Sequence, residues 1–216
     1  MARLMTSGYH AAHLVADPAR AVVWKAIATH LQDWVPARGA VMEIGAGYCE
    51  WINNVTASRR VAVDIWTELP RFAGPGVEPL VLDLASGMDV LEPNAFDAVL
   101  ASNLFEHFPA DTLSVVIGDV HRVLKPGGRL LIVQPNFRYA WRSYFDDYTH
   151  RSVFTDVSLP ALLRAHGFTI DLVKPRFLPY SMQGSRLPIT EWLVTAYLRS
   201  PFKPMAGQML VIASKH

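Results

Sequence analysis

The residues Val41-Met42-Glu43-Ile44-Gly45-Ala46-Gly47 end an apolar run with two glycines one residue apart. Glycine permits a sharp turn there and lets a ligand approach the backbone with no Cβ in the way. A helix expected over residues 50–57 would present its amide-rich N-terminus to that ligand. Taken alone, the pattern also fits an ordinary strand-to-helix turn. A second element is Asp64, at the end of the next apolar run and 19 residues beyond Gly45. In a parallel sheet that position lies beside the glycine turn, where a carboxylate can accept hydrogen bonds from both ribose hydroxyls of an adenine nucleoside. The two elements suit a dinucleotide as well as S-adenosylmethionine, and three residues favour the latter. A dinucleotide fingerprint wants a third glycine or a small residue at position 50. Here that position is Glu50, whose charge would oppose a phosphate. Glu43, two residues before the turn, suits the ammonium of a methionine moiety. Asp83, in "LVLDLAS", is placed to accept from an adenine amino group.

Methyl transfer from a sulfonium mainly needs in-line positioning and exclusion of water. An oxygen nucleophile adds a need for a base, which contributes roughly 10²–10⁴-fold. His107 in "SNLFEHF" is the first candidate, at the carboxyl edge of the expected sheet, with Glu106 beside it to orient it. The alternative is that both residues only tie their loop together. Just beyond the fifth expected strand, "PNFRYAWRSYFDDYTH" gathers Asn136, Arg138, Tyr139, Trp141, Arg142, Tyr144, Phe145 and Tyr148. Aromatic faces stack on sugars or rings, and arginines bind carboxylates or phosphates. The stretch is therefore the candidate acceptor site, with loop packing as the alternative. Asp146, Asp147 and His150 form a possible second acid–base cluster. Adjacent carboxylates with one histidine are weak evidence for a metal, and no metal site is assigned.

These groups need a scaffold, and the hydropathy pattern supplies one. Short apolar runs at 40–45, 60–65, 77–82, 96–101 and 128–134 read as strands, separated in places by helical patterns. Residues 18–35 read as a helix with Val22, Val23, Ala26, Ile27 and Leu31 on one face. Residues 110–124 repeat Leu113, Val116, Ile117, Val120 and Leu124 at helical spacing, and Lys125-Pro126-Gly127-Gly128 stops that helix. A short helix beginning between Thr155 and Ser158 ends at Gly167. Strands at 168–174 and 208–214 follow, with a helix around 189–199 between them. Its apolar face, including Trp192 and Leu198, suits core packing, a lid, a dimer contact or a shallow interfacial anchor. Alternating β and α elements argue for a parallel sheet in one α/β domain spanning 1–216. Its cofactor half would cover about 17–136, with acceptor-side elaborations at about 135–155 and 176–206.

As a set, "VMEIGAGYCEW" (41–51), "VAVDIW" (61–66), "LVLDLAS" (80–86), "FDAVLASNLFEHF" (96–108) and "HRVLKPGGRLLIVQPN" (121–136) resemble a class I S-adenosylmethionine-dependent methyltransferase. The resemblance covers about 40–136. It implies a Rossmann-like seven-stranded sheet of order 3-2-1-4-5-7-6, helices on both faces, and strand 7 antiparallel. It also implies that Glu43, Gly45, Ala46 and Gly47 hold the methionine end and that Asp64 and Ile65 meet the ribose. Asp83 and the Leu84 backbone would bind adenine, and Ser102 and Asn103 would line the floor below the sulfonium. The segments 17–27, 135–155 and 178–188 resemble a bacterial subgroup often found beside glycosyltransferases in polysaccharide clusters. That narrower resemblance implies a glycan or lipid-linked saccharide as acceptor.

Composition bounds the remaining classes. The 216 residues are 51% hydrophobic and 18% charged, which suits one globular domain. No run approaches the roughly 18 apolar residues of a membrane span, and the first residues lack a secretory apolar core. One cysteine, Cys49, excludes an internal disulfide. The cytoplasm is the expected compartment. Residues 1–107 carry 7 Lys/Arg and 12 Asp/Glu, whereas residues 108–216 carry 13 and 7. The basic half suits an anionic acceptor or surface, and no nucleic-acid module is present. The reading is methyl transfer to an oxygen of a saccharide or related polar molecule, by a monomer or homodimer. An NAD(P)-dependent oxidoreductase and a non-catalytic S-adenosylmethionine-binding protein are the alternatives.

Overall fold

The structure, a computed structural model, describes residues 18–180 and 189–216. Residue 17 and residues 181–188, quoted above for the narrower resemblance, lie outside the described residues. In chain order the elements are α1 (Pro18–Leu31), β1 (Ala40–Ile44), β2 (Arg59–Asp64), β3 (Val77–Val81), β4 (Phe96–Ser102) and α2 (Ala110–Val123). There follow β5 (Leu124–Pro135), α3 (Phe137–Ala140), α4 (Ser158–Ala165), β6 (Phe168–Pro179), α5 (Glu191–Arg199) and β7 (Ala206–Lys215).

The strands form one seven-stranded sheet of order β3-β2-β1-β4-β5-β7-β6. β1 to β5 pair in parallel, and β7 runs antiparallel to both β5 and β6. This is the Rossmann-like arrangement that the motif order implied. The central strands are buried on both faces, so they read as continuous apolar runs without alternation. Side chains still alternate in direction. Met42, Ile44, Val61, Val63, Val99 and Ile132 join the core under α2 and α4. Val41, Ala62, Ala98, Leu100, Leu131 and Val133 join Val23, Ile27 and Leu31 of α1 on the other side. α4 opens with a reciprocal cap, Ser158 N–H to Thr155 Oγ1 (3.1 Å) and Thr155 N–H to Ser158 Oγ (2.9 Å).

The expected helix over 50–57 is not there; residues 47–55 form irregular turns. Cys49 sits at φ 58°, outside the right-handed helical region. The Glu43 carboxylate takes the Ile52 amide at 2.9 Å, and Asn54 Nδ2 donates to the Glu50 carbonyl at 2.7 Å. Such side-chain bonds compete with a helical ladder. The turn expected at 125–128 is a bulge that opens β5, where the register jumps from Phe96↔Leu124 to Ala98↔Arg129. β6 extends to Pro179, beyond its expected end, because β7 continues to pair with it. Leu198 of α5 is buried and Val194 and Tyr197 pack beside α1, while Trp192 stays exposed. No helix among the described residues is long and apolar enough to cross a membrane.

Leu131 is fully buried in a central strand, whereas Val115 on α2 is 52% exposed. Leu131→Ala is therefore expected to cost about 2–5 kcal/mol of stability and Val115→Ala less than about 0.5 kcal/mol, as read from urea unfolding midpoints.

Candidate active site

A cavity of about 780 Å³ opens at the carboxyl ends of β1, β2 and β4. Open α/β sheets bind ligands there because the strand-to-helix turns bring backbone groups and variable side chains together. Glu43, Gly45, Ala46, Gly47, Asp64, Ile65, Ser102 and Asn103 all line it. Gly45 and Gly47 take φ +67° and +49°, and a Cβ on Gly45 would stand 2.8 Å from Leu104 Cδ1. Only glycine keeps that turn unstrained and close to the Leu104 wall.

Asp64 is buried and ties two turns together. Its Oδ2 accepts from Gly47 N at 2.8 Å and its Oδ1 from Trp66 N at 2.9 Å. Each oxygen retains a lone pair for a ligand hydroxyl. Glu43 is also buried, with Oε2 accepting from Ile52 N at 2.9 Å. Burial pushes its carboxyl up to about 8, against the opposing effect of the Ile52 amide. Glu50 reaches the cavity edge but is paired with Arg20 at 2.9 Å, so its negative charge is partly countered. Asn103 stands at φ 46°, a strained backbone of the kind that gathers at functional sites. Its Oδ1 accepts from Gln208 Nε2 at 3.2 Å.

Neither Asp83 nor Leu84 lines this cavity. Asp83 caps the turn that follows β3 by accepting from Ala85 N at 2.9 Å, and Leu84 is buried in the core. The short distance between Asp83 and its own backbone decides its direction.

The opposite wall brings together Glu106, His107, Asp146, Asp147 and His150. Thr149 donates its hydroxyl to Asp147 Oδ1 at 2.5 Å, and His107 Nδ1 lies 2.9 Å from the same hydroxyl oxygen. A hydroxyl has one proton, so the imidazole is the donor in the second bond. That assigns its proton to Nδ1 in the neutral ring. Burial, then the neighbouring His150, pull the His107 pKa down to about 4. Glu106 is fully buried, and burial pushes its carboxyl up to about 8. Its backbone carbonyl accepts from Arg151 N (2.7 Å) and Ser152 N (3.0 Å), which clips the segment 147–152 onto the 105–107 turn.

Five proposed acceptor residues are elsewhere. Asn136 is buried, donating to Asp156 Oδ1 and the Pro175 carbonyl at 3.0 Å each, as an internal strut. Tyr144 is buried with its hydroxyl on the Ser152 carbonyl at 2.5 Å. Tyr139 and Trp141 are exposed and do not line the cavity; Arg176 and Arg142 lie over their rings. Arg138 pairs with Asp156 at 3.0 Å. Asn136 also caps α3, its Oδ1 accepting from Arg138 N at 3.2 Å. Conversely, Arg20, Tyr48, Thr149, Arg151, Tyr180 and Gln208 line the cavity without having been anticipated. No local pattern marks them. Only the position of Thr149 and Arg151 within 135–155, and of Tyr180 within 176–206, the expected acceptor-side stretches, carried a signal.

With this geometry in view, residues 15–173 match a family of methyltransferase domains. The match covers more than half of the chain, and the chain belongs to that family. Comparison with curated protein sequences finds no match. Among solved structures, a SAM-dependent methyltransferase of Archaeoglobus fulgidus is similar, with TM-score 0.65 and 19% identity over 89% of this chain and 94% of that one. An S-adenosylmethionine-dependent methyltransferase of Mesorhizobium loti gives 0.64 and 18% over 88% and 98%. The 1,6-didemethyltoxoflavin-N1-methyltransferase of Burkholderia thailandensis, solved with S-adenosylhomocysteine, gives 0.62 and 21% over 99% and 86%. At these identities the likeness is one of fold. The fold and the family define a methyltransferase enzyme.

Gly45→Ala and Gly47→Ala should each cost about 1–2 kcal/mol, because both place an L-residue in the left-handed region. Only Gly45→Ala should also displace Leu104, since an added Cβ at Gly47 meets nothing within 4 Å. Urea unfolding measures the first effect, and the methyl NMR shift of Leu104 measures the second.

Proposed function

We propose that this chain transfers the methyl group of S-adenosylmethionine to an oxygen of a saccharide, a glycan intermediate or a related polar small molecule. The observation that carries the cofactor reading is the Asp64 carboxylate, buried at the cavity wall and anchored on Gly47 N and Trp66 N beside a glycine turn that a Cβ would crowd. A nucleoside-sized ligand suits a cavity of about 780 Å³. In this reading Asp64 and Ile65 hold the ribose, Glu43 with the 45–47 turn holds the methionine end, and Ser102 and Asn103 lie under the sulfonium. Bound there, the cofactor supplies a methyl group on a good leaving group, so the protein's task is alignment and exclusion of water.

At the acceptor end the polar lining includes Ser143, Asp146, Asp147, Thr149, Arg151 and Tyr180. These groups, set among Phe108, Pro109 and Pro135, suit hydrogen bonding to an acceptor hydroxyl, and Arg151 suits an anionic group on it. The resemblance of residues 135–155 to enzymes found beside glycosyltransferases supports the saccharide class. His107 and Glu106, on the same wall, activate the acceptor hydroxyl.

Calorimetric titration with S-adenosylmethionine and S-adenosylhomocysteine, with NAD as control, tests the cofactor. Both adenosyl compounds should bind and NAD should not, and binding of NAD alone overturns the proposal. Asp64→Ala should weaken S-adenosylmethionine binding by about tenfold or more, a loss of at least about 1.4 kcal/mol. Unchanged affinity removes the ribose assignment. His107→Ala should slow turnover of a saccharide acceptor by about 10²-fold or more while leaving cofactor affinity intact.

Glu43 makes a pH-dependent prediction. Raised to about 8, its carboxyl is mostly protonated at pH 7 in the free protein, and a bound ammonium would favour the ionised form. Cofactor binding at pH 7 should therefore release up to about one proton, falling towards zero above roughly pH 9, where the group is already ionised. The dependence of binding heat on buffer ionisation enthalpy measures this release. Glu43→Gln should abolish it, and a wild-type protein that shows no release would take Glu43 out of the ammonium site.

A further inference from the structure

Three side chains on the acceptor wall converge in a way the reading so far does not use. One ligand atom from each of Glu106, His107 and His150 lies within 4.8 Å of the other two. Glu106 has no exposure, and neither carboxyl oxygen has a hydrogen-bond partner among the described residues. The His150 side chain is 4% exposed, and its Nδ1 is likewise without one. A buried carboxyl group left unpaired on both oxygens is disfavoured, and an unpaired imidazole nitrogen beside it doubles the anomaly. A cation between them satisfies both. We propose that Glu106, His107 and His150 bind a divalent transition-metal ion of the zinc class.

The donor set decides the class of ion. Two imidazoles and one carboxylate suit Zn²⁺ and similar borderline metals, whereas Mg²⁺ and Ca²⁺ favour all-oxygen shells. The surroundings fit as well. Metal-binding histidines usually donate their second ring N–H to a carboxylate or another acceptor. His107 does so through the Thr149 hydroxyl, which itself donates to Asp147. His150 Nε2 is 3.9 Å from Asp147 Oδ2, which leaves Nδ1 to bind. The site also differs from the Asp146, Asp147 and His150 grouping visible in the sequence: Asp147 supports the histidines from behind.

All three ligands line the cavity, so a three-ligand ion keeps an open position towards the acceptor, as catalytic zinc sites do. This inference rests on the methyl-transfer reading for its purpose. An acceptor hydroxyl at the open position would have its pKa lowered by the ion. Its proton leaves to solvent, the O–C bond forms, and the S–C bond breaks with its electron pair going to sulfur as a neutral thioether. In that arrangement His107 and Glu106 act on the hydroxyl through the ion.

The test is metal content, measured separately from cofactor binding. The full chain is stripped with chelator, reloaded with Zn²⁺, desalted and assayed for metal, with Mg²⁺ as comparator. About one zinc per chain is expected, with no magnesium retained. Glu106→Gln, which preserves shape, and His150→Ala should each weaken zinc affinity by about 10–100-fold in competition with a chromophoric chelator. Co²⁺ loading of the wild type should give the visible absorption of a low-coordinate nitrogen–oxygen site, lost in both variants. Circular dichroism confirms that the variants are folded. If a variant is unfolded, the wild-type zinc content and Co²⁺ spectrum decide. No retained zinc in wild type, or unchanged affinity in folded variants, overturns the metal site. Intact S-adenosylmethionine binding in the same preparation would then leave the methyl-transfer reading standing. Zinc retention without cofactor binding would have the opposite meaning.

Discussion

The hydrogen bond from the Gly47 amide to the buried Asp64 carboxylate joins two turns whose residues lie 17 positions apart in the chain. It requires β1 and β2 to be parallel neighbours in register, with Glu43 opposite Ala62 and Ile44 opposite Val63. It also requires a glycine turn open enough to present its amide sideways. A second amide, from Trp66, holds the other carboxylate oxygen. This side of the cavity depends on the bridge, because it sets the distance between the glycine turn and the end of β2. The apolar faces above and below the sheet hold the two strands in place, so burial of the core and shape of the site are one constraint.

The other wall is built differently. No strand carries Asp147, Thr149 or His150; they lie on an irregular segment. That segment is held by backbone amides of Arg151 and Ser152 on the Glu106 carbonyl, by Ser152 Oγ on the Phe108 carbonyl at 2.7 Å, and by the Tyr144 hydroxyl on Ser152. Tyr144 therefore contributes rigidity where exposed aromatics would contribute contact. The result is a wall in which the buried Glu106 carboxyl meets the imidazoles of His107 and His150, with Asp147 beside both rings. A buried carboxyl beside one buried and one half-buried imidazole is costly unless a ligand, a proton or an ion completes the group.

Much of this architecture was legible before any coordinates. Runs such as residues 40–45 and 96–101 have the length and apolar character of buried strands, and residues 110–124 repeat at helical spacing. Both periods are properties of the local backbone. Where the reading failed, a contact from outside the segment decided the outcome. The helix expected at 50–57 lost an amide to the Glu43 carboxylate one strand away. Asn136, which looked like a polar acceptor contact, is held by Asp156 and Pro175 from distant segments.

The sequence by itself determined the order of elements, the glycine turn and the acid at the end of β2. Apolar periodicity and the tolerance of glycine for positive φ are local properties that need no knowledge of neighbours. Tertiary structure alone decided which polar side chains share the cavity. Thr149 meets His107 across 42 residues, and the two histidine rings come to 5.0 Å. Asp83 accepts from its neighbour Ala85 N and does not line the cavity. Side-chain direction and desolvation depend on which distant segments pack together, and no pattern within one segment encodes that.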